Sequence, residues 1–252
     1  MAQNVDAANL KETFVAQGGI WGPAWETILQ ADPVYFAAYL KLRSVPMNKK
    51  TLPYKTQELV LLAVNASTTT LYEPGIRAHT AAALAAGATR QEIMETLELS
   101  SVLGVHATSV GVPCLMEVLQ ETGVSAQVDP LDERQQHLKA DFSAKRGYWS
   151  PHWETILRLD PLFFEAYTEF SSVPFRSDRN FLDAKTKELM YCAIDCACTH
   201  LYAPGLKTHI RNALRYGATP SEIMEVYNLA SLMGIHTVLA GATALAEASA
   251  TS

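Results

Sequence analysis

Cysteine is scarce in this sequence and badly placed for pairing. The 252 residues hold four, and three of them, Cys192, Cys196 and Cys198, are bunched together. No disulfide framework is expected from that pattern, and a reducing cytoplasm is the natural compartment. Cys196-Ala197-Cys198 lacks the spacing of a Cys-x-x-Cys redox pair and lacks the second pair that a structural zinc would need. Positive charge is not in excess either. The net charge is −6 and no basic stripe interrupts the scattered acids, so nucleic acid is not an expected partner. Met1 to Glu12 is polar and mixed in sign, which fits neither a signal peptide nor a transit peptide. The most apolar long window, Ala230 to Ala248, is broken by Ser231, Gly234, His236, Thr237, Gly241 and Glu247. It predicts a buried helix and no membrane partner. No segment sustains an alternation of period two, so no sheet is expected.

What the chain does have is a duplication. Trp21 to Pro46 matches Trp149 to Pro174 at an offset of 128, with 15 identities in 26 positions. The offset then becomes 130: Lys55-Thr56-x-Glu58-Leu59 matches Lys185-Thr186-x-Glu188-Leu189, and the match runs on to Gly104-Val105-His106 against Gly234-Ile235-His236. The reading is therefore two tandem helical repeats, 13–120 and 146–250, joined by a polar linker over 121–145. Within each, Asp32-Pro33 and Asp160-Pro161 supply an N-cap with proline at the first helical position. After a loop around Val45 to Pro53, an apolar helix is predicted over about Tyr54 to Ser67. A histidine helix follows from Pro74 to about Ala86, closed by Gly87. Thr89-x-x-Glu92 and Thr219-x-x-Glu222 are capping boxes for the next helices.

Several residues recur where chemistry would need them. His79 and His209 lie one turn inside the histidine helix. Glu58 and Glu188 sit on apolar rows of the preceding helix, where a carboxylate is costly unless it is paired. An imidazole beside such a carboxyl is a general acid–base pair, although a satisfied structural histidine is the plainer alternative. Further along that helix the copies differ, with Asn65 in the first and Asp195 in the second. His106 and His236 form a second recurrent pair. Tyr72 and Tyr202 precede the histidine helix and are candidates to close a pocket. Pro74-Gly75 and Pro204-Gly205 open a helix whose free N–H groups favour an anion, with Arg77 and Lys207 on its first turn as carboxylate ligands. A metal held by His79, Glu58 and His106 is possible on ligand type, but no spacing singles it out, and none is expected.

Together, Lys-Thr-x-Glu-Leu, the apolar helix, and the histidine helix ending Gly-Ala-Thr-x-x-Glu-Ile resemble the carboxymuconolactone decarboxylase and alkylhydroperoxidase D superfamily. The resemblance covers about Trp21 to Ala248. It implies an all-α fold of two such repeats packed as a pseudo-dimer, and a homo-oligomer, a trimer or a simple dimer. The peroxidase branch carries Cys-x-x-Cys-x-x-x-His, whereas this chain has Tyr72 and Gly75, and Tyr202 and Gly205, at the cysteine positions. The thiol mechanism thus lacks its nucleophile, unless Cys192, Cys196 or Cys198 substitutes from the preceding helix. The decarboxylase branch uses no cofactor. By resemblance His79 or His209 would donate a proton, assisted by Glu58 or Glu188, to a small carboxylated or lactone substrate. Trp21 and Trp25, with Trp149 and Trp153, would either wall the pocket or staple a terminal helix to the core. A non-catalytic small-molecule binder is the remaining reading.

Overall fold

The punctuation read from the sequence sets the helix boundaries in the computed structural model, which describes residues 6–124 and 129–250. Among these residues there are fourteen α-helices, three short 3-10 turns and no strand. The first repeat supplies α1 (Ala7–Ala16), α2 (Pro23–Ala31), α3 (Pro33–Lys49), α4 (Tyr54–Ala66), α5 (Glu73–Ala85), α6 (Arg90–Ser101) and α7 (His106–Thr122). The second supplies α8 (Glu133–Arg146), α9 (His152–Leu159), α10 (Pro161–Ser172), α11 (Ala184–Cys196), α12 (Ala203–Arg215), α13 (Pro220–Ser231) and α14 (Ile235–Ala250). Asp32 caps α3 through the Tyr35 N–H and Asp160 caps α10 through the Phe163 N–H. Both capping boxes close as read. Thr89 and Glu92 exchange hydrogen bonds at the start of α6, and Thr219 and Glu222 do so at α13.

Three expectations are corrected. The loop predicted from Val45 is helical to Lys49, because Pro46 is accommodated inside α3 and the turn comes only at Lys50, which has a positive φ. The segment 121–145 is not plain linker: α8 fills its second half. Its Leu138 and Phe142 are buried with Trp153 and Phe164, which gives the helix an apolar face to dock. The window from Ala230 is not one buried helix. A 3-10 turn over Leu232–Gly234 divides it, and in α14 Ile235, Leu239 and Ala242 face inward while Leu245 is exposed.

The chain forms two compact units that do not coincide with the repeats. One comprises residues 1–100 and 184–252, the other 101–183. In the first, α4 and α11 pack on each other at the centre. Leu59, Val60, Leu62, Ala63 and Val64 are essentially inaccessible, as are Leu189, Met190, Cys192, Ala193 and Ile194. A helix apolar on every side belongs in a core, and each such Leu or Met stabilises by ~1.5–3 kcal/mol. Two polar ties join the repeats there. Buried Glu225 accepts from the Thr51 and Leu52 N–H groups and from Gln57 Nε2 at 2.9 Å. At the equivalent place Lys187 Nζ lies 2.9 Å from Glu95, both 1–2% exposed. Helix α14, from the second repeat, packs on α2 of the first. In the other unit α7, α8 and α10 surround α9, around a core of Phe142, Trp153, Leu157 and Phe164.

Candidate active site

Helices α4 and α5 meet along their length, and their contact carries the recurrent glutamate and histidine. His79 Nδ1 lies 2.8 Å from Glu58 Oε2. In the second repeat His209 Nδ1 lies 2.6 Å from Glu188 Oε2. Glu58 and Glu188 are 1–2% exposed, so each imidazole answers the cost of burying its carboxyl. With Nδ1 committed to the carboxylate, Nε2 of His79 is left to exchange a proton with a ligand. The lysine and glutamate of the two motifs also meet: Lys55 pairs with Glu92 at 2.7 Å and Lys185 with Glu222 at 2.8 Å. These ties lock the capping boxes to α4 and α11, a structural role for residues that stand out in the sequence.

A cavity of about 320 Å³ opens over the first pair. Glu58, Asn65, Tyr72, His79 and His236 line it, so α14 of the second repeat furnishes part of a site built on the first. The His236 ring stacks on Tyr72 at 4.1 Å between centroids. Burial, reinforced by nearby His79, pushes His236 down to about 4, so it stays neutral near neutral pH. Tyr54 lies beside Glu58, and burial together with that carboxylate raises its hydroxyl to about 12. Part of the lining is aromatic: Phe14, Trp21, Trp25 and Tyr39, with Trp25 stacked on Tyr39 at 5.4 Å. Trp21 and Trp25 therefore do both things expected of them, since with Phe14 they also bind α1 to the core. Trp149 and Trp153, by contrast, pack in the core of the other unit and do not line this cavity.

The second pair is dressed differently. Tyr191 stacks on the His209 ring at 4.5 Å, where the first repeat has Leu61. Asn212 Nδ2 donates to Glu188 Oε1 at 3.3 Å, where the first has Ala82. Leu61 and Ala82 both line the first cavity. Asp195 is 1% exposed, with one carboxylate oxygen 3.8 Å from His200 Nε2 and the other without a hydrogen-bond partner among the described residues. Burial pushes its carboxyl up to about 7; the Glu188 charge adds to this and His209 opposes it. Tyr202 caps α12 near His200.

Other candidates fall away from this geometry. Arg77 is exposed and spends its guanidinium on Glu73 one turn earlier, so it does not face the cavity. Lys207 is likewise exposed on α12. The Pro-Gly pairs have a steric purpose: a Cβ at Gly75 would overlap Asn65 and Tyr72, and one at Gly205 would overlap Asp195 and Tyr202. His106 opens α7, half-buried, in the other compact unit and is not among the residues lining the cavity. Burial raises the Cys192 thiol and pushes Cys196 up to about 12, so neither is a ready thiolate. Arg43, Tyr54, Tyr191 and Asn212 were missed in the sequence, because none belongs to a recurrent motif. The mismatch of each with its counterpart in the other repeat was the available signal.

The family model described as the carboxymuconolactone decarboxylase family matches residues 33–110 and again 161–248. The chain belongs to that family. A crystal structure from Burkholderia xenovorans LB400, provisionally described as a gamma-carboxymuconolactone decarboxylase subunit, is 50% identical. It superposes with a TM-score of 0.92, covering 96% of this chain and 97% of that one. Among curated proteins none matches. Membership accounts for the paired helical repeats. The model's two matches begin at Pro33 and Pro161, so the aromatic segment before each lies outside it.

Proposed function

We propose that this member of the family is a lyase that decarboxylates a small carboxylated or lactone substrate, using His79 and Glu58 for proton transfer and no cofactor. The observation that carries the reading is the 2.8 Å bond from His79 Nδ1 to a buried carboxyl on the wall of a cavity of ligand size. In the reaction the carbon–carbon bond to the carboxylate breaks and its electron pair moves into a conjugated carbonyl. Carbon dioxide leaves, and protonated His79 delivers its Nε2 proton to the resulting carbanion equivalent. Glu58 holds the ring in position and stabilises its imidazolium form. An apolar, aromatic lining favours loss of charge from the leaving carboxylate. The name of the Burkholderia structure and the family supply the lactone acid as the first substrate to try.

The test is release of carbon dioxide from a panel of unsaturated lactone acids and related carboxylated compounds. His79→Asn and Glu58→Gln should each lower kcat by about 10²–10⁴-fold, the usual worth of a placed acid or base. Replacing all four cysteines by serine should leave turnover within twofold. Turnover that survives His79→Asn, or vanishes with the cysteines, rejects the proposal.

A further inference from the structure

Arg43 is buried to 8% exposure and lines the cavity. Its one protein hydrogen bond among the described residues runs from Nη1 to the Gln17 carbonyl at 2.9 Å. The guanidinium lies 5.1 Å from the centroid of Phe14, a second cavity residue. No carboxylate of the described residues pairs with it. A guanidinium in such surroundings carries a desolvation cost that one carbonyl and one ring face do not offset.

The second repeat argues that the group is wanted there. Ser171 occupies the position matching Arg43, and Arg146 the position matching Gly18. Arg146 Nη1 donates to the Ser171 carbonyl at 3.0 Å, while Arg43 reaches from the α3 side to Gln17 beside Gly18. Each repeat thus spans the same pair of segments with one buried guanidinium, supplied from opposite ends. Each also lays it on aromatic rings, Phe14 in one and Tyr148 and Phe175 in the other. Two routes to one cation are hard to ascribe to a shared packing accident.

We propose that Arg43 is the anion-binding residue of the first cavity and that its ligand is a small planar carboxylate, an aromatic or conjugated ring acid. The ring lies among Trp21, Trp25 and Tyr72, and the carboxylate takes the guanidinium N–H groups that the described residues leave unused. Charge-assisted, fork-shaped bonding of this kind suits arginine over lysine. Trp21 is pre-set for the role: its Nε1 donates to Glu26 at 3.0 Å, which fixes the indole. The cavity volume of about 320 Å³ admits one or two fused rings. This rests on the cavity being the substrate site but not on the chemistry performed there.

Equilibrium binding of 2-naphthoate and benzoate to the full chain, followed by calorimetry and by quenching of tryptophan fluorescence, tests it. The neutral amides should bind at least tenfold more weakly, and cyclohexanecarboxylate several-fold more weakly than benzoate. Arg43→Lys should lose about tenfold and Arg43→Met more, while Arg77→Met, at an exposed arginine outside the cavity, stays within twofold of wild type. The lysine variant keeps the charge, so it reads the fork geometry even if the methionine variant folds poorly. Failure of the wild type to bind either acid, equal binding of acid and amide, or undiminished binding by Arg43→Lys would overturn the proposal. Binding that follows these ranks while no carboxylated substrate releases carbon dioxide would leave this proposal standing and reject the proposed reaction.

Discussion

Asp195 stores a pH dependence that can be read with its sign. Its carboxyl titrates near 7 in the folded chain against an ordinary value of 3.8. Between those values the folded state holds a proton that the unfolded chain has released, so stability falls as pH rises across that window and is level above it. Asp195→Asn places there the amide that the first repeat already carries as Asn65. It should flatten the slope and stabilise at pH 8 by up to about 4 kcal/mol, as measured by urea unfolding at pH 4, 6 and 8. His236 has the opposite sense. Its value is depressed from 6.5 to about 4, so its neutral form is favoured on folding and stability is lost as pH drops through that range. His236→Phe keeps a ring against Tyr72 and should reduce acid sensitivity between pH 6.5 and 4. At this scale the sequence was legible where a residue recurred. The Glu58–His79 and Glu188–His209 pairs follow from spacing on two successive helices. Arg43 was not legible, because a buried cation shows itself only through what surrounds it, and Arg77 misled because an exposed first-turn arginine satisfies itself with its neighbour Glu73.

Among the elements, the close approach of α4 to the start of α5 rests on a missing side chain. Gly75→Ala would improve helix propensity by ~1 kcal/mol, yet its methyl group would overlap Asn65. A net loss of about 1–3 kcal/mol is expected, partly recovered in the double variant with Asn65→Ala, by thermal or urea unfolding. The same junction holds Leu71 and Leu201 at positive φ, 41° and 51°. That conformation is rare for a bulky residue and fixes the direction in which Tyr72 and Tyr202 enter the next helix. The buried tie between α11 and α6 makes a sharper case. Lys187→Met leaves Glu95 without its cation and should cost about 3–5 kcal/mol. Lys187→Gln copies Gln57 with Glu225 and should cost clearly less. Helix existence and caps were readable because Asp-Pro, Gly-Ala-Thr and the capping glutamates act locally. The extension of α3 through Pro46 and the docking of α8 were not, since both depend on distant packing surfaces.

In the molecule as a whole, duplication is more than doubling. The C-terminal helix of the second repeat completes the cavity of the first with Ile235, His236 and Leu239. Within one fold the two Glu–His pairs have diverged, one beneath an aromatic cavity and one overlaid by Tyr191 and tied to Asn212. His79→Asn is therefore expected to depress turnover far more than His209→Asn, a comparison of kcat at saturating substrate. Sequence periodicity exposed the two copies readily but said nothing of which helix packs with which copy, because an offset in numbering carries no information about exchange.

The loan of α14 to the opposite copy ties the walls of the first cavity to a helix about 150 residues further along the chain. Whatever loosens that helix, be it a protease or a bulky fusion, would open the cavity on the side walled by Ile235, His236 and Leu239.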